Sequence, residues 1–373
     1  NMRKVYINDF GGGMVNDPRD RRENVSQVCQ HFDIFTDPHR LTPHYSQEAG
    51  DASASTQRIK NFAFDGATLF GYGRETSAGT NSYIYKVTAV TTSTWTAVKN
   101  TQREIVNSNN ANVDNYPFFH YYGKTSKLYG AGGGRYFWSY APGSDTLNNV
   151  AYDATSYTTV SNAITHSKDD IMYVGMDNKV VKNNNDSWSV GLTLPDRYVL
   201  TSICEYGDYV AIACRHKGTG NSRVFLWDRN EATLTVSQSI DWGHGALMVL
   251  EELQGLLIGV SFQGIANWDA STTFDNLGQA RVIIRYYSGV GGAIHFSEFT
   301  GFGQTPTVQG VSYKFKTVDR ILFPAVINIT GTPASAVAGK KGVWSITKTA
   351  SGLAITEEFT YLNNTPDNGP VYG

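Results

Sequence analysis

Between Asp208 and Asp228 the chain reads DYVAIACRHKGTGNSRVFLWD. An apolar run (Tyr209–Cys214) leads into a turn rich in Gly and Asn (Lys217–Asn221), and a second apolar run (Arg223–Trp227) follows. Two runs of strand length around such a turn predict a β-hairpin. Weaker copies of it recur along most of the chain. Runs ending near Phe64 and at Leu69–Tyr72 are followed by Tyr83–Val87 and Trp95–Val98. The set returns as Pro117–Tyr122, Lys127–Gly130, Arg135–Tyr140 and Val150–Tyr152, and then as Ala163–His166, Asp170–Gly175, Lys179–Lys182 and Ser189–Leu194. The Asp208 hairpin is flanked by Tyr198–Glu205 and Leu234–Trp242. Ala246–Glu251, Leu256–Phe262 and Gly264–Asp269 begin another copy. Ser312–Thr317, Arg320–Ile329, Gly342–Ile346 and Ala354–Tyr361 make the last clear one.

Aligned on the third run, most copies carry an aromatic mark: Ile84-Tyr85, Phe137-Trp138, Val180-Val181, Leu226-Trp227, Asn267-Trp268 and Val343-Trp344. Successive marks lie 53, 43, 46, 41 and 76 residues apart. A four-stranded unit of about 40–50 residues is the requirement of a β-propeller blade. One such sheet leaves a face uncovered, and stacking neighbours around an axis buries it. A β-sandwich gives no reason for a four-strand period, and a parallel β-helix needs a shorter one. The expected fold is therefore all-β, a propeller of six or seven four-stranded blades. The 76-residue gap, with strands at Arg281–Tyr287 and Ala293–Phe299, is read as room for a modified blade. The Asp208 hairpin is expected to be the inner half of its blade.

Composition agrees with this reading. Aromatics reach 13%, Gly 37 residues and Tyr 22, whereas charged residues make up only 17%. Aromatic and β-branched side chains suit a pleated surface, and Gly supplies turns. A net charge of −2 excludes binding by broad phosphate neutralisation. Cys29, Cys204 and Cys214 form no CxxC pair and predict neither a disulfide framework nor a zinc site; Cys204 and Cys214 sit in apolar runs as small buried side chains. No apolar run approaches the ~18 residues of a membrane span, and no signal-peptide core is evident. Synthesis in a reducing cytoplasm is the expectation.

Candidate chemistry thins out when weighed. Trp227-Asp228 and Trp268-Asp269 are WD dipeptides, with Gly243-His244 ahead of the second, but only one copy shows both halves. A WD40-like scaffold predicts regular motifs in most blades. Asn183–Trp188, NNNDSW, is similar to the Asp-box turns of sialidase-like propellers without their spacing, and an exposed Asn-rich turn explains it. The glutamates Glu205, Glu251, Glu252, Glu298, Glu357 and Glu358 include no pair that spacing selects for glycoside cleavage. His39 and His44, near Asp33 and Asp37, fit no metal motif, and Pro38 and Pro43 make that stretch a rigid connector. Ala131–Arg135, AGGGR, leads into a strand rather than a helix, so it reads as a hairpin turn and not a phosphate cradle. No catalytic group, cofactor or metal is assigned, and the protein is expected not to be an enzyme. Tyr286, Tyr287, Trp188 and Tyr121 would be the side chains to stack on a host-surface glycan, though such residues are more often simply packed in strands.

The chain divides at about the first copy, into residues 1–58 and a repeat body of 59–373. Met2–Phe10 alternates like a strand, Gly11–Gly13 stops it, and Asn16–Asn24 is dense in mixed charge with little to bury. Val28–Ala52 adds one short apolar strand and a Pro-punctuated loop. The stretch Ile7–His44 resembles the start of structural proteins of tailed bacteriophages, which open with a short strand, an aromatic-Gly-Gly turn, a mixed-charge arm and an FDI-type strand. Phe10, Gly11, Gly12, Pro18, Phe32, Asp33, Ile34, Pro38, Leu41 and Pro43 carry the likeness; LTPHY at Leu41–Tyr45 departs from the Arg-Pro-Gly that often follows. The resemblance implies a virion component of the tail or head–tail region, working through contacts with other virion proteins and copies of itself. It makes the N-terminal segment an extended docking arm, with Phe10, Gly11, Gly12, Arg19, Arg21, Arg22, Phe32 and Leu41 as the expected partner interface. The readings set against it are a propeller that binds or cleaves glycan and a cellular WD40-like scaffold.

Overall fold

A computed structural model describes residues 32–33, 42–43, 58–74, 82–87, 96–100, 118–131, 136–154, 164–166, 169–263, 281–300, 306–309, 315–316, 320–329, 341–349 and 352–360. Among them the chain forms antiparallel sheets whose strands follow one another in sequence. The first sheet comprises Arg58–Phe64, Leu69–Arg74, Ser82–Val87 and Thr96–Asn100. The second comprises Phe118–Tyr122, Lys127–Ala131, Tyr136–Ala141 and Thr146–Asp153. Ile164–His166, Met172–Met176, Lys179–Asn184 and Ser187–Thr193 make the third. Tyr198–Tyr206, Tyr209–His216, Asn221–Trp227 and Ser239–His244 make the fourth. The fifth is Ala246–Leu253, Leu256–Gln263, Arg281–Tyr287 and Ile294–Thr300. In the sixth, Pro306–Gln309 and Phe315–Lys316 both pair with Arg320–Ile329, followed by Lys341–Thr349 and Gly352–Thr360.

Each sheet stacks on the next through its own apolar layer. Phe70, Tyr72 and Ile84 of the first meet Phe119, Leu128 and Trp138 of the second. Tyr129 and Phe137 then meet Met172, Val174 and Val181 of the third. Tyr173 and Leu192 pack on Ile212, Phe225 and Trp227 of the fourth. Trp242 and Ala211 pack on Leu247 and Leu257 of the fifth, whose Val260 and Ile284 cover Phe323, Trp344 and Ile346 of the sixth. First strands lie against one another between the first and second, the third and fourth, and the fourth and fifth sheets, as Tyr198–Tyr206 does on Ala246–Leu253. Sequential four-stranded meanders stacked face to face along their first strands are the blades of a β-propeller. A blade's middle strand is buried on both faces, so it reads as an unbroken apolar run: Val210, Ile212 and Cys214 point to the third sheet and Ala211 and Ala213 to the fifth. Outer strands such as Thr146–Asp153 and Ser187–Thr193 are largely exposed or half-buried.

Two details correct the sequence reading. The Asp208–Asp228 hairpin supplies the second and third strands of its blade, with Tyr198–Tyr206 inside it, and is not the inner half. Arg281–Tyr287 and Ile294–Thr300 complete the fifth sheet rather than starting a modified blade. Leu256–Gln263 pairs directly with Arg281–Tyr287, and Gly264–Asp269, expected as the third strand, lies outside the described residues. The other four aromatic marks, and Val180-Val181 at the matching place, do lie on third strands.

Candidate functional site

The turn-bearing end of the second and third sheets holds a polar site. The face that the second sheet turns toward the third diminishes in size along its third strand, from Phe137 to Ser139 to Ala141. Phe137 packs with Tyr152 and Trp188, so the inner part of this interface is filled. Ser139 and Ala141 cannot fill the outer part. The outer strand also breaks register between Asn148 and Tyr152, and the small Ala151 lies within that irregular stretch. The result is a cleft of about 450 Å³ lined by Lys127, Ser139, Ala141, Ser144, Thr146, Asn148, Ala151 and Asp186.

Asp186 closes the cleft from the third sheet. It sits in the two-residue turn Asn185-Asp186, where φ is +55° and +67°. Two successive positive φ values define the primed turn whose twist matches a tight hairpin, and Asn and Asp tolerate it. The Asn183 side-chain oxygen accepts from the Asp186 N–H at 2.8 Å and holds the turn. The carboxylate accepts from Lys127 Nζ at 2.6 Å and from the Tyr129 hydroxyl, while Lys124 Nζ donates to Asn184 Oδ1 at 2.9 Å. Partial burial works to raise the Asp186 carboxyl, but the hydrogen bonds from Lys127 and Tyr129 outweigh it and hold the group below its usual range. Burial, with the Asp186 carboxylate as hydrogen-bond partner, pushes the Tyr129 hydroxyl well up. The Lys127–Asp186 pair thus favours the ionised carboxylate, and that carboxylate favours the protonated phenol of Tyr129.

The same use of charge recurs between other blades. Lys217 Nζ reaches Asp177 of the third sheet's turn at 3.0 Å. Arg229 joins Asp169 at 3.0 Å and the Asp208 carbonyl at 3.0 Å. Lys99 of the first sheet meets Asp145 of the second at 2.9 Å. Arg285 Nη1 donates to the His244 carbonyl at 3.3 Å, and burial lowers the Arg285 pKa. Apart from the Arg229–Asp208 bond, which lies within the fourth blade, these are ties from one blade to its neighbour.

Among the residues weighed from sequence, Phe32 lies in the short strand Phe32–Asp33, which pairs with Thr42–Pro43 beside the last strand Gly352–Thr360. Phe10, Gly11, Gly12, Arg19, Arg21, Arg22, Leu41, His39, His44 and Cys29 lie outside the described residues, as does Trp268. Cys204 and Cys214 are buried free thiols. Trp227 of the first WD pair is a blade contact, its Nε1 donating to the Glu231 carbonyl at 2.8 Å and its ring meeting Tyr173 edge-on. Glu252 caps a turn at Gly255 N–H (2.6 Å), and Glu298 faces Arg281 and His295, each at 3.7 Å. Trp188 stacks on Tyr152 at 5.1 Å, and Tyr287 is buried against Tyr206. No group of three or more His, Cys, Asp or Glu side chains able to hold a metal occurs among the described residues. Nor is any helix there long and apolar enough to cross a membrane. Sequence reasoning missed the cleft; its only trace is the run of shrinking side chains on alternate positions of YFWSYA.

No family model and no curated protein matches the chain. Solved structures do resemble it in architecture. A chain of a mitotic checkpoint complex superposes with TM-score 0.47 and 11% identity over 95% of this chain and 88% of that one. A putative 6-phosphogluconolactonase from Bacteroides uniformis gives 0.45 and 9% identity, covering 86% and 88%. A prolyl endopeptidase gives 0.46 and 12%; this chain spans 83% of itself and 42% of that enzyme's length. Likenesses this distant transfer no activity.

Proposed function

We propose that the protein is a non-enzymatic structural component of a tailed-phage virion, in the tail or head–tail region, acting through assembly contacts. The observation that carries the reading is the seating of the strand pair Phe32–Asp33 and Thr42–Pro43 beside the last strand Gly352–Thr360. Two short strands from the part of the chain that resembles phage structural proteins therefore lie at the edge of a stack of blades, which supports reading that part as a docking segment. A rigid support makes a docking segment effective, since less ordering entropy is lost when a partner is met. The charge ties between blades favour the same view: Lys127, Lys217 and Arg229 are engaged in holding the body together.

The test removes residues 1–31 and leaves the strand pair in place. The expected outcome is an unchanged circular dichroism spectrum and melting temperature, with loss of self-association or of co-assembly with neighbouring virion proteins in sedimentation. Full assembly by the truncated, folded chain would sink the proposal.

A further inference from the structure

We propose that the cleft between the second and third blades is a binding site for a neutral carbohydrate, the ring-hydroxyl face of a short oligosaccharide. Its volume of about 450 Å³ lies within the ~300–1,000 Å³ of small-ligand sites. The lining is polar but balanced: Lys127 and Asp186 form one ion pair and the remaining polar groups are uncharged. An anionic ligand would meet the Asp186 carboxylate, and a cationic one the Lys127 ammonium. A polyol, offering donors and acceptors in equal measure, meets no such penalty.

The hydrogen-bonding capacity left over fits that chemistry. Asn148 Oδ1 already accepts from the Val150 N–H at 3.1 Å, which points the amide NH₂ outward as a donor. Thr146 Oγ1 donates to the Ser144 carbonyl at 3.1 Å, leaving its lone pairs to accept. Lys127 Nζ uses one of its N–H bonds on Asp186, and each carboxylate oxygen of Asp186 keeps a further lone pair. The Ser139 and Ser144 hydroxyls rotate to serve either role. The groups are also held in place, since the Asn185-Asp186 turn and the Ser144–Thr146 turn are both fixed by hydrogen bonds within their hairpins. Preorganised donors and acceptors cost little to engage. The inference does not depend on the virion reading.

Screening the full chain on an array of neutral and acidic glycans, followed by calorimetric titration, tests it. A neutral hexose-containing glycan is expected to bind, with amide shifts in NMR confined to residues 127–151 and 183–188. Thr146→Val and Asn148→Ala, both at exposed positions, are each expected to weaken binding about tenfold, the usual effect of one lost hydrogen bond. Ala141→Leu, which fills the cleft, is expected to abolish it, with melting curves confirming that each variant folds. Binding of acidic glycans alone, binding unchanged in all three variants, or no binding across the array would each overturn the proposal.

Discussion

Asp186 ties together two blades, one turn and a polar cleft of balanced charge, so its titration bears on all three. Its folded-state pKa lies below the ordinary value, because Lys127 and Tyr129 stabilise the ionised form. The sign follows: its contribution is fully present above the unfolded carboxylate's range, near pH 4, and is lost as pH falls through the lower folded value. Asp186→Asn is expected to cost about 1 kcal/mol at pH 7, the scale of a part-exposed pair, and the gap to the parent should close as pH falls below the unfolded carboxylate's range and through the lower folded value. Melting curves across that window check it. Tyr140 gives the opposite window. Burial and its 2.9 Å bond to Asp145 push its hydroxyl up to about 12. Stability from Tyr140 is complete below the ordinary phenol value of ~10 and is lost as pH rises toward 12. Tyr140→Phe should therefore flatten the alkaline end of the stability profile; a parallel fall in both proteins would refute it.

At the scale of the strand, blade contacts are set by which positions carry bulk. Gly259, on the second strand of the fifth sheet, faces Trp242 of the fourth. A Cβ there would stand 2.6 Å from Leu247 Cδ1 and 2.7 Å from Trp242 Cζ2. Gly259→Ala is expected to lower stability by about 1–3 kcal/mol through overpacking, measured by urea denaturation with the m-value unchanged. A neutral result would mean that the blades slide freely. Strand existence was legible in the sequence, because a strand of this fold declares itself by its run of apolar residues and its turn. Tyr209–His216 and Asn221–Trp227 were readable on that basis to within a residue or two. The failure at Gly264–Asp269 has a physical cause. Leu256–Gln263 pairs with Arg281–Tyr287, which is not the next apolar run along the chain, and local pattern carries no information about which run will pair. The Gly259 contact was unreadable for the same reason, since a glycine in a strand shows its purpose only when the neighbouring blade is in place.

For the whole molecule, the period of four strands and the aromatic marks determined an all-β propeller from the sequence alone. A sheet with two apolar faces needs a neighbour on each, and repetition along the chain supplies them. The cleft was beyond that reach. Ser139 and Ala141 are unremarkable until Asp186, some forty-five residues later in the chain, is folded across them. Composition told that few charges were available; tertiary structure decided that they join blades, because only folding brings Lys217 to Asp177 and Arg229 to Asp169. Periodicity is a local property that secondary structure expresses directly. Sites are built from residues distant in sequence, and their geometry exists only where the blades meet.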